Sequence, residues 1–464
     1  MNKNDIVGRT DGSCPPDRDF RNNAGCFLHV EDPLVRRLSL QGKIGLERES
    51  LRITTDGHMA HTPDYFSSEK NIVRDFCENQ TEINTPPCDS VNDVMESLAA
   101  SHEIIVRTLK EADPEEYLWP HSNPPYIVNE DDIPIAQYTG TEVHKQRYRE
   151  YLSERYGRYK MTFSGIHFNY SPGEALLQAN HEAFYPNMTF SAYRDAFYMS
   201  LGAKAQAYNW LIVALTAASP LLDSSYVEKG VYGRDVFNGM GSTRCSELGY
   251  WNYFTPILDY SHISNYAESI LSYIERGLIR SAAELYFPVR IKSFHEYSPC
   301  SLCEEGVSHI ELRMVDLNPL TPYGIDERDV AFIKLYLIWL SSLPSVKMEA
   351  GEQVIAIQNT KNAARYDLKT VNILMPDGRS LKATAAAEEV LGEMKKFFEN
   401  LNADETSGPA FPDEGGSDEP SMISEILDYQ IKKIEVPETR YAWRIREEYG
   451  DGFVEKTLEK LKKT

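Results

Sequence analysis

Two glutamates, Glu47 and Glu49, lie two residues apart in GLERESLRI (45–53), a stretch with the composition of a β-strand. Side chains two residues apart on a strand point to the same face, about 7 Å from each other. Like charges held side by side cost stability unless something neutralises them. The pair therefore indicates either a solvated strand face or a site for a divalent cation.

Three further segments place ligand-type side chains on one strand face. These segments are 80–85, SGIHFNYS (164–171) and HIELRMVD (309–316), and their polar faces carry Glu82 and Asn84, His167 and Asn169, and His309, Glu311 and Arg313. The reverse faces of the last two segments are apolar. This alternation predicts a curved antiparallel sheet with its back on a core and its front lining a wet, metal-binding cavity. Any half-exposed sheet shows the same alternation, so a solvated front face stays the alternative.

The residue types on these faces favour phosphoryl chemistry. Carboxylates and other oxygen ligands are what Mg²⁺ prefers, and a guanidinium beside bound metal can hold the charge of a phosphoryl group in transfer. The sequence contains no GxxxxGK[ST] loop, no GxGxxG after a strand and no GxSxG elbow. A nucleotide, if bound, must be held in another way.

Composition excludes several classes of protein. The formal net charge of −22 over 464 residues argues against a nucleic-acid partner. The N-terminus has no apolar signal segment, and no apolar run approaches the roughly 20 residues of a membrane span, so we expect a cytoplasmic protein with no membrane partner. Seven scattered cysteines do not form a disulfide framework. Cys300 and Cys303 form a lone CxxC, which lacks the second half that a structural zinc site normally shows.

The chain divides into three parts by composition: a polar arm (1–30), a core (31–345) and a mostly helical C-terminal region (346–464) with a loop at 403–420. Periodicity predicts helices at 91–112, 141–156, 189–221, 328–342, 385–401, 421–434 and 437–462. The four prolines of 114–127 predict a loop without regular structure. Because strands and helices are interspersed without a βαβ rhythm, we expect an α+β fold.

The sequence contains a series of eight motifs in one order: GLERESLR (45–52), DFCENQTEINTP (75–86), YLWPHSNPP (117–125), YREYLSERYG (148–157), SGIHFNYS (164–171), RCSELGY (244–250), ELYFPVR (284–290) and HIELRMVDLNP (309–319). This series resembles that of glutamate–cysteine ligases of the gamma-proteobacterial type, and of the ligase half of bifunctional glutathione synthases. The motifs cover roughly residues 40–340, and together they are highly specific for that family.

The resemblance implies a glutamine-synthetase-like fold whose curved antiparallel sheet forms an active-site funnel. It implies ATP-dependent joining of the glutamate γ-carboxylate to the amine of cysteine through γ-glutamyl phosphate, the first step of glutathione biosynthesis. The implied cofactors are ATP and two or three Mg²⁺ ions, with Mn²⁺ as an alternative. We expect a monomer or a weak homo-oligomer. The C-terminal region would belong to the same catalytic unit, with no ATP-grasp half following it.

The resemblance also assigns roles to residues. The implied metal ligands are Glu47, Glu49, Asp75, Glu82, His167 and Glu311. Arg313 would face the transferred phosphoryl group, and with Glu311 it would be catalytic. Asn169 and Arg244 would help to hold the amino-acid substrates, and Tyr148, Leu152, Tyr250 and Tyr286 would surround the cysteine side chain, although plain packing would also explain these four. Arg290 and Lys292 are expected either near the nucleotide or on the surface.

Two departures from the family pattern leave the acceptor open. Asn123 stands where the family usually has methionine, and His309 stands where it usually has tyrosine. The nearest alternative is a related carboxylate–amine ligase that joins glutamate to a different amine. A guanidino phosphotransferase on a related sheet and a catalytically silent metabolite-binding protein are further alternatives.

Overall fold

The structure is a computed structural model that describes residues 26–295, 297–403 and 419–463. Residues 1–25 of the expected polar arm and 404–418 of the expected loop lie outside the described residues. Helices and strands are interspersed along the described chain, and one large antiparallel sheet lies at its centre. The expected α+β class is confirmed.

Seven strands form the main sheet, in the order β2-β3-β1-β5-β9-β8, and β4 pairs with the far end of β1. Every pairing in it is antiparallel. Two short ribbons, β6 with β7 and β10 with β11, complete the strands described. The strands are β1 (Gly42–Thr54), β2 (Ile72–Arg74), β3 (Gln80–Asn84), β4 (Glu116–Leu118), β5 (Gly165–Pro172), β6 (Leu222–Asp223), β7 (Asp235–Val236), β8 (Val289–Lys292), β9 (His309–Asp316), β10 (Asn372–Leu374) and β11 (Ser380–Lys382).

The back of the sheet is the apolar face that the alternation predicts. Ile166 and Phe168 of β5 and Ile310 and Leu312 of β9 are all buried. They belong to one hydrophobic core with the central helices of the chain. Removing such side chains from water is the main favourable term in folding, and it therefore holds the opposite, polar face of the sheet in a fixed orientation.

Fifteen helices surround the sheet within the described residues. They are α1 (Pro33–Leu38), α2 (Val91–Glu111), α3 (Val143–Tyr156), α4 (Glu174–Phe184), α5 (Phe190–Tyr208), α6 (Trp210–Thr216), α7 (Ser224–Val227), α8 (Ile263–Glu275), α9 (Pro299–Glu305), α10 (Glu327–Ser342), α11 (Ala350–Ala363), α12 (Ala383–Ala403), α13 (Glu419–Glu435), α14 (Tyr441–Tyr449) and α15 (Phe453–Leu461).

The sequence signals for α2 act as expected. Ser90 caps the helix, since its hydroxyl accepts a hydrogen bond from the Asp93 N–H. Val94, Leu98 and Ile105 form its buried stripe, with the spacing of an amphipathic helix. The predicted helix at 91–112 is confirmed.

Four element boundaries differ from the predictions. The helix expected at 189–221 is divided into α5 and α6 and ends at Thr216, because the chain must leave the helical conformation before Pro220. The helix expected at 437–462 is divided into α14 and α15, since Asp451 and Gly452 have φ values of 60° and 126°. The loop expected at 114–127 contains β4, which pairs with β1. The alternation of polar and apolar residues extends back to residue 159 and predicts a strand from there, but the strand begins only at Gly165, after a single 3₁₀ turn.

The C-terminal helices pack on the core through a buried ion pair. Lys433 of α13 lies 2.6 Å from Asp329 of α10, and both side chains are almost fully buried. Gln430 and Tyr441 also donate hydrogen bonds to the Asp329 carboxylate, at 2.8 and 2.6 Å. No helix among the described residues is long and apolar enough to cross a membrane.

Candidate active site

The register of the sheet brings the separate polar faces together. Glu47 of β1 lies opposite Asn84 of β3 on one side and opposite His167 of β5 on the other. Glu49 lies opposite Glu82. One strand further along the sheet, Asn169 lies opposite Glu311. Four segments that are distant in sequence therefore share one front face.

A β-bulge adjusts this face between β5 and β9. Two residues of β9, Arg313 and Met314, lie opposite the single residue His167, because the register shifts between Ile166 and Phe168. A bulge bends its strand and changes the direction of nearby side chains. This one lies where Arg313 and His167 meet, 3.3 Å apart between Nη1 and Nδ1.

The front of the sheet forms a cavity of about 320 Å³. It is lined by every residue that the sequence analysis assigned to the site except Asn169, namely Glu47, Glu49, Asp75, Glu82, Tyr148, Leu152, His167, Arg244, Tyr250, Tyr286, Arg290, Lys292, Glu311 and Arg313. Asn169 lies beside this cavity rather than on it, and its Nδ2 donates a 3.0 Å hydrogen bond to Glu47 Oε1.

His167 is at the centre of the acidic group. Its Nδ1 lies 2.8 Å from Glu47 Oε2 and 3.5 Å from Glu311 Oε1, and its Nε2 lies 3.6 Å from Glu49 Oε1. The ligand atoms of Glu47, His167 and Glu311 all lie within 4.8 Å of one another. Within the described parts of the chain, this is the only group of three or more such side chains close enough to share a metal ion.

Burial and mutual repulsion perturb the carboxyl groups. Burial, with Asp75 nearby, raises the pKa of Glu49 to about 8. Burial and the charges of Asp75 and Glu47 also raise the pKa of Glu82 well above its usual value. Burial alone would raise the pKa of Glu311, but Arg313 and two further cations hold it well below the ordinary range. Neighbouring carboxyl groups disfavour each other's ionised form, and a bound cation would favour it.

The same residues fit a divalent cation. Glu311 Oε2 is buried, yet no hydrogen-bond partner for it exists among the described residues. A buried carboxylate oxygen without a hydrogen bond is costly, and an ion in the cavity would satisfy it. Several carboxylates and one imidazole form the oxygen-rich donor set that Mg²⁺ and Mn²⁺ accept.

Two arginines line the cavity beside the acids. Arg313 Nη1 donates a 2.6 Å hydrogen bond to Glu311 Oε1. Arg244 lies across the sheet, and its guanidinium donates to the carbonyl oxygens of Arg313 and Val315 at 2.8 and 3.3 Å. A Cβ at Gly165 would lie 2.2 Å from Arg244 Cζ, so only glycine leaves room for this arginine.

Arg290 and Lys292 both approach Glu311. Arg290 Nη1 and Lys292 Nζ lie 3.9 and 3.6 Å from Glu311 Oε2. Arg290 also donates three hydrogen bonds to the carbonyl oxygens of Ala283 and Leu285, at 2.7 to 3.1 Å. Arg290 is only 5% exposed, so it does not lie on the surface, and its side chain lines the cavity.

An aromatic wall faces the polar side of the cavity. Tyr148 and Leu152 come from α3, whereas Tyr250 and Tyr286 come from two loops. The ring centroids of Tyr250 and Tyr286 are 3.9 Å apart. The cavity thus has a charged side on the sheet and a partly apolar side formed by α3 and the two loops.

Sequence reasoning missed six residues of the lining: Phe76, Arg149, Lys160, Met161, Phe163 and Ala283. Phe76 and Arg149 each follow a residue that the analysis had selected, Asp75 and Tyr148. Lys160, Met161 and Phe163 directly precede the SGIHFNYS segment. Proximity to these motifs was the available signal.

The two departures from the family pattern lie away from the cavity lining. Asn123 is buried, and its Nδ2 donates to the carbonyl oxygens of Ser219 and Leu221 at 3.0 and 2.6 Å. His309 Nδ1 lies 2.7 Å from the Ser308 hydroxyl. Neither side chain lines the cavity.

The two cysteines of the CxxC sequence are exposed on α9. Among the described residues, no group of three or more metal-ligating side chains includes them.

Comparison with known proteins matches this chain to one family. A family model described as glutamate-cysteine ligase matches residues 29–276 and 253–363. The glutathione biosynthesis bifunctional protein GshAB of Listeria monocytogenes is 33% identical over 445 residues, which are 93% of this chain and 55% of that protein. The protein of the same name from Clostridium perfringens is 29% identical over 390 residues, or 81% of this chain and 50% of the relative. The chain therefore spans about half the length of these relatives.

Two solved structures share the fold. A bifunctional glutathione synthetase from Pasteurella multocida has a TM-score of 0.77 at 23% identity, covering 94% of this chain and 54% of its own. A glutamate–cysteine ligase from Francisella tularensis, in complex with AMP, also has a TM-score of 0.77 at 21% identity, covering 91% of this chain and 88% of its own. These likenesses confirm the fold that the motif series implied. Since the family model matches well over half of its residues, the chain belongs to the glutamate–cysteine ligase family.

Proposed function

We propose that this protein uses ATP to join the γ-carboxylate of glutamate to the amine of cysteine, giving γ-glutamylcysteine, ADP and phosphate as the first step of glutathione biosynthesis. One observation carries the proposal: a single cavity is lined by five carboxyl groups, a histidine, six cationic side chains and an aromatic wall. The charged side suits a triphosphate with its metal ions, and the aromatic side suits a small, partly apolar acceptor.

In this proposal Glu47, Glu49, Asp75, Glu82, His167 and Glu311 would hold two or three Mg²⁺ ions, with Mn²⁺ as the alternative. Two observations support it: Glu47, His167 and Glu311 cluster together, and Glu311 Oε2 has no hydrogen-bond partner among the described residues. When bound, such ions neutralise phosphate charge and orient the phosphate oxygens.

The first half of the reaction transfers a phosphoryl group. The glutamate γ-carboxylate attacks the γ-phosphorus of ATP in line, and the bond to the β,γ-bridging oxygen breaks, which leaves γ-glutamyl phosphate and ADP. The Arg313 guanidinium binds the charge on the moving phosphoryl group, and its 2.6 Å hydrogen bond to Glu311 holds it in place. Arg290 and Lys292 would contribute positive charge toward the nucleotide phosphates.

The second half forms the amide. The cysteine amine, bound without its extra proton, attacks the acyl carbon, the bond from that carbon to the phosphate oxygen breaks, and the leaving phosphate takes up the proton that the amide nitrogen loses. Tyr148, Leu152, Tyr250 and Tyr286 would enclose the acceptor side chain, which limits the access of water to the acyl phosphate. Asn169 and Arg244 would help to hold the amino-acid substrates, Asn169 by fixing the Glu47 carboxylate.

The test measures phosphate and ADP with glutamate fixed and the amine varied, and identifies the product by mass. We expect equal amounts of ADP and phosphate and a γ-glutamylcysteine product. A preference for another amine would identify the protein as the alternative, a related ligase that joins glutamate to that amine. A phosphorylated product without free phosphate would indicate a phosphotransferase. Binding of the substrates without ATP consumption would indicate a catalytically silent binding protein.

We further propose that residues 31–345 and 346–464 form one catalytic unit, which works in the cytoplasm as a monomer or weak homo-oligomer. The buried Asp329–Lys433 pair between α10 and α13 supports the single unit. Limited proteolysis would test it: both parts should resist cleavage together, whereas early loss of the C-terminal region with retained activity would contradict the proposal.

A further inference from the structure

The acceptor pocket is assembled from parts that the main sheet does not hold in register. Tyr148 and Leu152 lie on α3, Tyr250 lies in the loop between β7 and α8, and Tyr286 lies between α8 and β8. The residues proposed for metal and phosphate, by contrast, lie mostly on sheet strands, where hydrogen-bond ladders fix their spacing. Some other contact must hold the three parts of the acceptor pocket together.

A buried carboxylate joins two of these parts. The side chain of Glu284 has no exposed surface. Its Oε1 accepts hydrogen bonds from the hydroxyls of Tyr156, at 2.8 Å, and Tyr151, at 3.4 Å, and lies 3.0 Å from Arg155 Nε. Its Oε2 accepts a 2.6 Å hydrogen bond from the N–H of Arg280. Glu284 therefore fixes the last turn of α3 to the segment that leads to Tyr286.

Asn252 adds the third part. Its Oδ1 accepts a 2.9 Å hydrogen bond from the N–H of Tyr286. Its Nδ2 donates to the Glu284 carbonyl oxygen at 2.8 Å and to the Tyr156 hydroxyl at 3.2 Å. Asn252 lies two residues after Tyr250, so the loop that carries this tyrosine is joined to both other parts.

The ring of Tyr156 packs directly against two of the pocket tyrosines. It meets Tyr250 and Tyr286 edge-on, with centroids 6.3 and 5.4 Å away and interplanar angles of 73° and 76°. Its hydroxyl is at the same time bonded to Glu284 and Asn252. A displacement of either partner must therefore reach the two pocket tyrosines through this ring.

Neither Glu284 nor Asn252 lines the cavity. We propose that Glu284 and Asn252 act together as positioning residues that set the width of the amine-acceptor pocket, and so affect the affinity for the acceptor more than the metal and phosphate side, which this segment reaches only through the hydrogen bonds from Arg290 to the Ala283 and Leu285 carbonyl oxygens. The inference rests on the proposed ligase function.

Glu284→Gln tests the carboxylate with little change of volume. Oε1 faces the Arg155 and tyrosine donors and Oε2 faces the Arg280 N–H. An amide has only one accepting end, so in either orientation its NH₂ meets a donor. Asn252→Ala removes the second half of the contact, and the double variant shows whether the two act as a unit.

Glu116→Gln is the matched control. Glu116 is also fully buried and lies 2.9 Å from an arginine, Arg52 Nη1, but it belongs to β4 and does not line the cavity. Its replacement carries the same kind of stability cost without a link to the acceptor pocket.

The experiment measures initial rates with ATP, glutamate and the amine varied in turn, using the amine that the wild type prefers. We expect E284Q and N252A to raise the KM for the amine at least about tenfold, because small displacements of a pocket have large kinetic effects. The KM values for ATP and glutamate should stay within about twofold and kcat at saturating amine within about threefold. The double variant should lose less than the product of the two single effects, and E116Q should leave all three KM values unchanged.

The possible failures are distinguishable. A wild type that forms no γ-glutamyl product with any amine would refute the proposed function, and this inference with it. Wild-type turnover with an unchanged amine KM in E284Q and N252A would overturn the positioning role alone. So would a parallel rise of all three KM values, which a general loosening of the fold would produce.

Discussion

Replacing Glu311 by glutamine tests the centre of the proposed site. Glu311 is buried beneath three cations: Arg313 donates to its Oε1 at 2.6 Å, and Lys292 and Arg290 lie 3.6 and 3.9 Å from its Oε2. The substitution keeps the shape of the side chain but removes its negative charge. It therefore weakens the hold on Arg313 and removes one expected metal ligand.

The size of the effect follows from these two losses. A hydrogen bond to a charged group contributes about 1.5–3 kcal/mol. Changes around a metal site typically cost a further 10- to 100-fold in affinity or activity, or about 1.4–2.7 kcal/mol. Together they amount to roughly 3–6 kcal/mol, which corresponds to a loss of about 10²- to 10⁴-fold in kcat/KM.

The assay is ADP formation with glutamate, the amine and Mg²⁺ present, with thermal unfolding measured on the same preparations. His309→Tyr is a control on the same strand, because His309 lies two residues away but outside the cavity lining. We expect H309Y to keep turnover within about threefold, since the side chain of His309 does not line the cavity. Near-wild-type turnover in E311Q would refute the assignment of Glu311 and the metal-site reasoning built on it.

Three further predictions concern Gly165, His121 and the pair formed by Asp329 and Lys433. Gly165→Ala should displace Arg244, whose Cζ would lie 2.2 Å from the new Cβ, and lower kcat/KM by about tenfold or more; unchanged steady-state kinetics would contradict the role given to this glycine. Burial, together with Lys460, lowers the pKa of His121 to about 3, so the unfolded chain takes up a proton below pH 6.5 that the folded chain does not. The free energy of unfolding should therefore fall on acidification by about 2 kcal/mol between pH 7 and pH 5 through this group, and His121→Gln should remove that share of the fall in urea titrations; equal pH dependence in both proteins would show that His121 is not buried in its neutral form. Asp329→Asn or Lys433→Met should each cost about 3–5 kcal/mol of unfolding free energy, because each leaves a buried charge without its partner, whereas the double variant should cost less than the sum; additive losses in a double-mutant cycle would argue against direct coupling.

The sequence was most informative where chemistry and periodicity coincide. In β5 and β9 the polar residues alternate with apolar ones, and this period-2 pattern is decided locally because successive side chains point to opposite faces. The acidic and imidazole residues could therefore be selected before any fold was known. The helix at α2 was equally readable from its cap and its buried stripe.

Boundaries and short elements were less readable. The three residues of β4 become a strand only because β1 offers them a partner, and the division between α14 and α15 depends on the left-handed conformation of Asp451. Neither feature has a periodic pattern long enough to be detected, and the pairing partner of β4 is set by contacts distant in sequence.

The sequence by itself determined which residue types are available for the chemistry and on which face of each strand they lie. Only the tertiary structure decided which strands are neighbours, where the bulge beside His167 falls, and that Gly165 leaves space for Arg244. It also decided that Glu284 and Asn252 join three separate segments around the aromatic wall. The physical reason is that alternation along a strand is a property of the local backbone, whereas register, close approach and buried hydrogen bonds are set by packing the whole chain at once.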